Sequence, residues 1–113
     1  MRNGLYLLRI EIRDGLGGTN TGVMVLRDGT IRGGDSHFYY VGSYTFADGK
    51  WKGELTNHEH TPSYGDRPVF GGRESSIGFT GIYDDEGAEA DATALIGTRS
   101  IRFKATMKRL ADG

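Results

Sequence analysis

Apolar and polar residues alternate along most of this chain with a period of two. Tyr6, Leu8, Ile10 and Ile12 fall on one face of the first segment, with Arg9, Glu11 and Arg13 on the other. That is the period of a strand with one face buried. An apolar run from Val23 to Leu26 follows, then a brief strand at Thr30–Arg32. Phe38, Tyr40, Tyr44 and Phe46 share a face with Gly42. Trp51, Gly53 and Leu55 lie opposite Lys50, Lys52, Glu54, Thr56, His58 and His60. Ile77, Phe79 and Gly81 face one way, and Ala88, Ala90, Ala92 and Ala94 alternate with Glu89, Asp91 and Thr93. The last segment sets Ile101, Phe103, Ala105 and Met107 against Arg102, Lys104, Thr106 and Lys108. No segment holds a helical period.

The links support hairpins. Asp-Gly occurs between apolar runs at Asp28-Gly29 and again at Asp48-Gly49, the strongest short hairpin signal. Residues 61–74, TPSYGDRPVFGGRE, carry both prolines of the chain and predict its longest loop. About eight short strands joined by tight links predict an all-β fold, a small up-and-down antiparallel β-barrel whose closure removes exposed edges. A length of 113 residues predicts one domain over 1–113. Four inward alanines with Gly42, Gly53 and Gly81 leave little side-chain volume on one inner face. Trp51, Phe38, Phe46 and Phe103 are candidates to fill it, the expected outcome in a close-packed interior. Unfilled, the space becomes a ligand cavity, with Phe38, Tyr44, Trp51, Ala90, Ala92 and Phe103 as its lining.

Charge and composition narrow the function. Fourteen basic and fifteen acidic residues give a net charge of −1. That is no electrostatic footprint for direct contact with nucleic acid or for an anionic membrane. The absence of cysteine removes disulfides, thiolate nucleophiles and thiolate metal sites, and fits a reducing compartment. The N-terminal residues alternate rather than form an apolar run, so no signal peptide, no membrane span and a cytoplasmic location are expected.

Catalytic patterns are weak. His58 and His60 sit at i and i+2 on one strand face, where two imidazoles could share a metal. That face also holds Lys50, Lys52 and Glu54, so a solvated wall is the preferred reading. Asp84-Asp85-Glu86-Gly87 lacks calcium-loop spacing and reads as a charged turn. Gly15, Gly17, Gly18 and Gly22 form no phosphate loop, since neither Gly-Lys-Ser/Thr nor a helix follows. They read as a flexible turn. No serine lies in a nucleophile elbow. No enzyme activity, cofactor or metal is expected. Leu5, Leu7, Tyr39, Val41, Ile82 and Leu95 fall on outward faces, and gathered into a patch they would mark a partner or self-association surface.

The segment IRGGDSHFYYVG packs two glycines and an aspartate against aromatics. It reads as a structural corner made by Gly33, Gly34, Asp35, Tyr40 and Gly42. The glycines would turn the chain through angles closed to other residues. Asp35 would accept backbone N–H groups and start a short turn of helix, so that Asp35→Ala should cost roughly 1 kcal/mol.

These residues also carry a resemblance. Asn3-Gly4-Leu5-Tyr6, then Gly22 to Gly29, then Gly33-Gly34-Asp35 with Tyr40 and Gly42, resemble the bacterial negative regulators of type III secretion (GrlR-like) along the whole chain. The resemblance implies a lipocalin-like (calycin-like) barrel with an apolar interior, a homodimer packed through barrel walls, and a non-enzymatic role. It implies a negative regulator that sequesters a protein partner, such as a helix-turn-helix transcription activator. Its best-understood members carry a Glu-Asp-Glu-Asp run in the hairpin after Tyr-x-Gly. Here that turn is Phe46-Ala47-Asp48-Gly49, so this binding element does not carry over. Asp84, Asp85 and Glu86, together with Tyr39 and Val41, are the candidate partner surface in its place. The alternative function is a barrel that binds a small apolar, lipid-like ligand.

Overall fold

The computed structural model describes residues 1–12, 19–62, 75–96 and 98–113. It contains eight strands: β1 (Gly4–Ile12), β2 (Thr19–Arg27), β3 (Thr30–Gly34), β4 (Phe38–Ala47), β5 (Lys50–Glu59), β6 (Ser75–Tyr83), β7 (Gly87–Ile96) and β8 (Arg99–Asp112). Each pairs antiparallel with the next, and β8 returns to β1, closing the barrel in simple up-and-down order. Among the described residues no helix is long and apolar enough to cross a membrane.

The period-two pattern becomes the inside and outside of this barrel. Tyr6, Leu8, Ile10, Met24, Leu26, Ile31, Trp51, Ile77 and Phe79 are buried, and so are all four alanines of β7. Those alanines make room for larger neighbours on both sides. Ala92 pairs with Phe79 across β6 and with Phe103 across β8. Ala90 pairs with Gly81, which in turn pairs with Trp51. The indole of Trp51 packs against Phe79 at 4.5 Å and edge-on to Tyr44 at 5.9 Å. Its Nε1–H donates to the Glu89 carbonyl at 3.0 Å, so its one polar atom is satisfied inside the wall.

The two Asp-Gly links are hairpin turns with positive φ at both central residues, 48° and 83° at Asp28-Gly29 and 53° and 80° at Asp48-Gly49. This is the turn whose twist matches that of the flanking strands. Asn3 holds the first of them from β1's approach: its Nδ2 donates to Asp28 Oδ1 and its Oδ1 accepts from the Asp28 N–H, each at 3.0 Å. At the closing seam the register slips between Leu5 and Tyr6, which face Ala111 and Arg109. The skipped residue, Leu110, is accordingly half exposed.

Four expectations are corrected. Phe46 does not fill the interior. It lies on the inward row but at the barrel rim, 46% exposed, packed edge-on against Tyr83 at 5.7 Å. Gly33 and Gly34 do not take left-handed angles; among the described glycines, positive φ belongs to Gly29 and Gly49. Gly33 is required by close approach instead, because a Cβ there would strike the Val23 carbonyl and come within 2.6 Å of Met24 Cα. Nor does Asp35 start a helix: β4 begins at Phe38, so the corner is a bare turn. The predicted long loop and the glycines at 15, 17 and 18 lie largely or wholly outside the described residues. Gly22, expected in a turn, belongs to β2.

Candidate functional site

The corner after β3 is built around one carboxylate. Asp35 Oδ1 accepts the N–H groups of His37 and Phe38, both at 2.9 Å, and Oδ2 accepts the Tyr40 hydroxyl at 2.7 Å. The Asp35 N–H donates to the Phe38 carbonyl at 2.9 Å, closing the loop. Tyr40 is 5% exposed, and Gly22 on β2 leaves room for its hydroxyl, which a Cβ at that position would approach to 2.8 Å. Burial first, then the hydrogen bond to Asp35, pushes the Tyr40 hydroxyl well above the usual phenol range. Gly42 sits below on the same strand, where a Cβ would come within 2.6 Å of Leu55 Cβ. The role of Gly22 escaped sequence reading because nothing local marks it; its partner Tyr40 is two strands away.

The same device recurs at the opposite end. Asp84 Oδ1 accepts the N–H groups of Glu86 at 2.8 Å and Gly87 at 3.0 Å, while the Asp84 N–H donates to the Gly87 carbonyl. Arg109 ties this turn to β8, its Nε donating to the Asp85 carbonyl at 3.0 Å. Asp84 therefore shapes its own turn, and the carboxylates of Asp85 and Glu86 project into solvent. This acidic turn stands at the hairpin end of the barrel, beside Asp48-Gly49, where the Tyr83 N–H donates to the Gly49 carbonyl. Tyr39 stands near the Asp35 end. The structure thus separates the acidic residues from Tyr39.

What gathers around Tyr39 is apolar. Across the outer wall Leu7 pairs with Val23, Val23 with Gly34, and Gly34 with Tyr39. In the next row Leu5 pairs with Val25, Val25 with Arg32, and Arg32 with Val41. Val23, Val25 and Tyr39 are 43%, 39% and 44% exposed, with Leu5, Leu7 and Val41 half-buried beside them. Gly34 puts no side chain between Val23 and Tyr39. Cations border this wall: Lys108 pairs with Leu7, and Arg32 lies within it. Val23 and Val25 were missed in the sequence because Val23–Leu26 is an unbroken apolar run, which does not reveal which alternate pair faces in. Ile82 and Leu95 are exposed on other strands, away from this wall.

Histidines flank the wall without forming a metal set. Tyr39 stacks on His58 with ring centroids 4.9 Å apart. His58 Nε2 lies 2.9 Å from Thr56 Oγ1, and His60 Nε2 lies 2.9 Å from the Asp35 carbonyl. Among the described residues no three His, Asp or Glu side chains are grouped to hold a metal ion.

The interior keeps a residual cavity of about 40 Å³. Trp51, Ala90, Ala92 and Phe103 line it as expected, with Tyr40, Leu55, Asn57, Phe79 and Met107 among their neighbours. Phe38 and Tyr44 are buried but do not line it. The space is far below the several hundred Å³ usual for a drug-sized ligand, because the large side chains of β5, β6 and β8 occupy the volume the alanines leave. No protein-family model matches this chain, and no curated protein matches it.

Proposed function

We propose that this chain is a non-enzymatic, protein-binding barrel that acts through the outer wall of β1–β4. The observation that carries this reading is the exposure of Val23, Val25 and Tyr39 in adjoining positions of one wall. Scattered apolar residues need no explanation, whereas apolar residues gathered on one face are what partner surfaces use. The resemblance to the type III secretion regulators supports the same reading: a cytoplasmic, lipocalin-like negative regulator, homodimeric through its walls, that sequesters a transcription activator. The basic border of the wall favours a partner with an apolar and acidic face.

Affinity capture from cells that express the protein tests this, with the wild type compared with Val23→Glu and Val25→Glu. Both positions are exposed, so the variants keep the fold. A stoichiometric DNA-binding protein held by the wild type and lost from both variants is the expected outcome. A partner lost only on neutralising Asp85 and Glu86 would move the site to the acidic turn. The absence of any protein partner would overturn the proposal.

A further inference from the structure

The inner wall carries a pair of polar side chains that the fold leaves unused. Asn57 on β5 is 1% exposed and lines the cavity, yet among the described residues neither its Oδ1 nor its Nδ2 has a hydrogen-bond partner. Ser75, paired with Asn57 on β6 beside the cavity rather than in its lining, is 5% exposed, and its Oγ is equally without a partner among the described residues. Buried polar atoms nearly always find partners, and leaving both ends of an amide unpaired is costly. Among the described residues the remaining cavity lining is apolar, apart from the Tyr40 hydroxyl and the Trp51 indole N–H, which Asp35 and the Glu89 carbonyl already occupy. An apolar residue of similar shape at position 57 would relieve that cost, so the amide implies something to recognise.

We propose that Asn57 and Ser75 form an internal recognition site for a small neutral molecule with a carboxamide-like edge and a short apolar body. The edge supplies one acceptor and one donor to the Asn57 amide, which offers the complementary pair. Among the described residues no charged side chain lines the cavity, so an ion there would lack a counter-charge from them. The volume of about 40 Å³ corresponds to roughly three water positions, too small for an acyl chain. Bound water is the competing occupant, since a buried water makes about three hydrogen bonds and Asn57 and Ser75 offer it as many polar atoms; the titration below separates the two. This site is independent of the outer wall, and neither proposal needs the other.

The test is a titration of the ¹⁵N-labelled protein with acetamide, and with acetone as the same shape without N–H donors. Acetamide should shift the Asn57 side-chain amide resonances saturably. Asn57→Leu should weaken its binding about tenfold, the worth of a lost pair of hydrogen bonds, and acetone should bind the wild type more weakly than acetamide. Ser75→Ala, a smaller change, should weaken acetamide as well and serves if Asn57→Leu does not fold. No saturable shift, equal binding of the two probes, or a long-lived water on Asn57 that acetamide does not displace would each overturn the proposal.

Discussion

At the scale of single residues, Asp35 does more than cap a turn. Its carboxylate takes two backbone N–H groups and the buried Tyr40 hydroxyl. Asp35→Ala should therefore cost about 2–3 kcal/mol rather than the single-cap value, because it leaves a buried phenol unpaired. Asp35→Asn, which keeps an acceptor at Oδ1, should cost less. Urea unfolding midpoints measure both, and a loss under ~1 kcal/mol for the alanine variant would show the network to be weak. Tyr40 makes a separate prediction. The folded state holds its proton more tightly than the unfolded chain, where a tyrosine titrates near ~10. The stabilisation is fully present below that pH and is lost as the pH rises above it. Stability should thus fall more steeply above about pH 10 in the wild type than in Tyr40→Phe. Parallel profiles from pH 8 to 11.5 would contradict this role.

At the scale of elements, β6 separates two uses of glycine. A Cβ at Gly78 would meet nothing within 4 Å, since the position faces outward into open space. At Gly81 a Cβ would run into the Glu89 carbonyl and lie 2.8 Å from Ala90 Cα. Gly78→Ala should be neutral or stabilising by up to ~1 kcal/mol, by restricting the unfolded chain. Gly81→Ala should destabilise by about 2 kcal/mol or more, because backbone rather than a flexible side chain must move. Thermal melts of the two variants give the comparison, and similar melting temperatures would refute it. The alternation places Gly81 on the inner face and Gly78 on the outer one, but that a Cβ at Gly81 meets backbone rather than free volume follows only from the register with β7. The hairpins were legible for the opposite reason: Asp-Gly at 28–29 and 48–49 meets a local backbone demand that needs no distant partner.

At the scale of the molecule, closure between β1 and β8 joins residues near the two ends of the chain, leaving neither strand as an open edge. Closure also decides what each face becomes. The inner face fills with Trp51, Phe79 and Phe103 over the alanines of β7, leaving a small cavity that Asn57 enters. The outer face of β1–β4 collects Leu7, Val23 and Tyr39 into one row, although they come from three separate segments of sequence. The candidate partner surface divides at this scale, with Asp85 and Glu86 at the hairpin end and Tyr39 and Val41 on the wall.

Local signals, period-two alternation and turn chemistry determine the all-β class, the strand count, the hairpins and most of the core, since each depends on residues a few positions apart. The Asp35 corner was legible too, because its acceptor and its backbone donors are near neighbours. Only the tertiary structure decided that Phe46 sits at a rim, that Gly33 is needed for close approach, that Val23 and Val25 face out, and that Asn57 and Ser75 are paired and buried on the inner face. Those properties depend on the register between strands distant in sequence, and on the barrel curvature that brings one wall's atoms against another's.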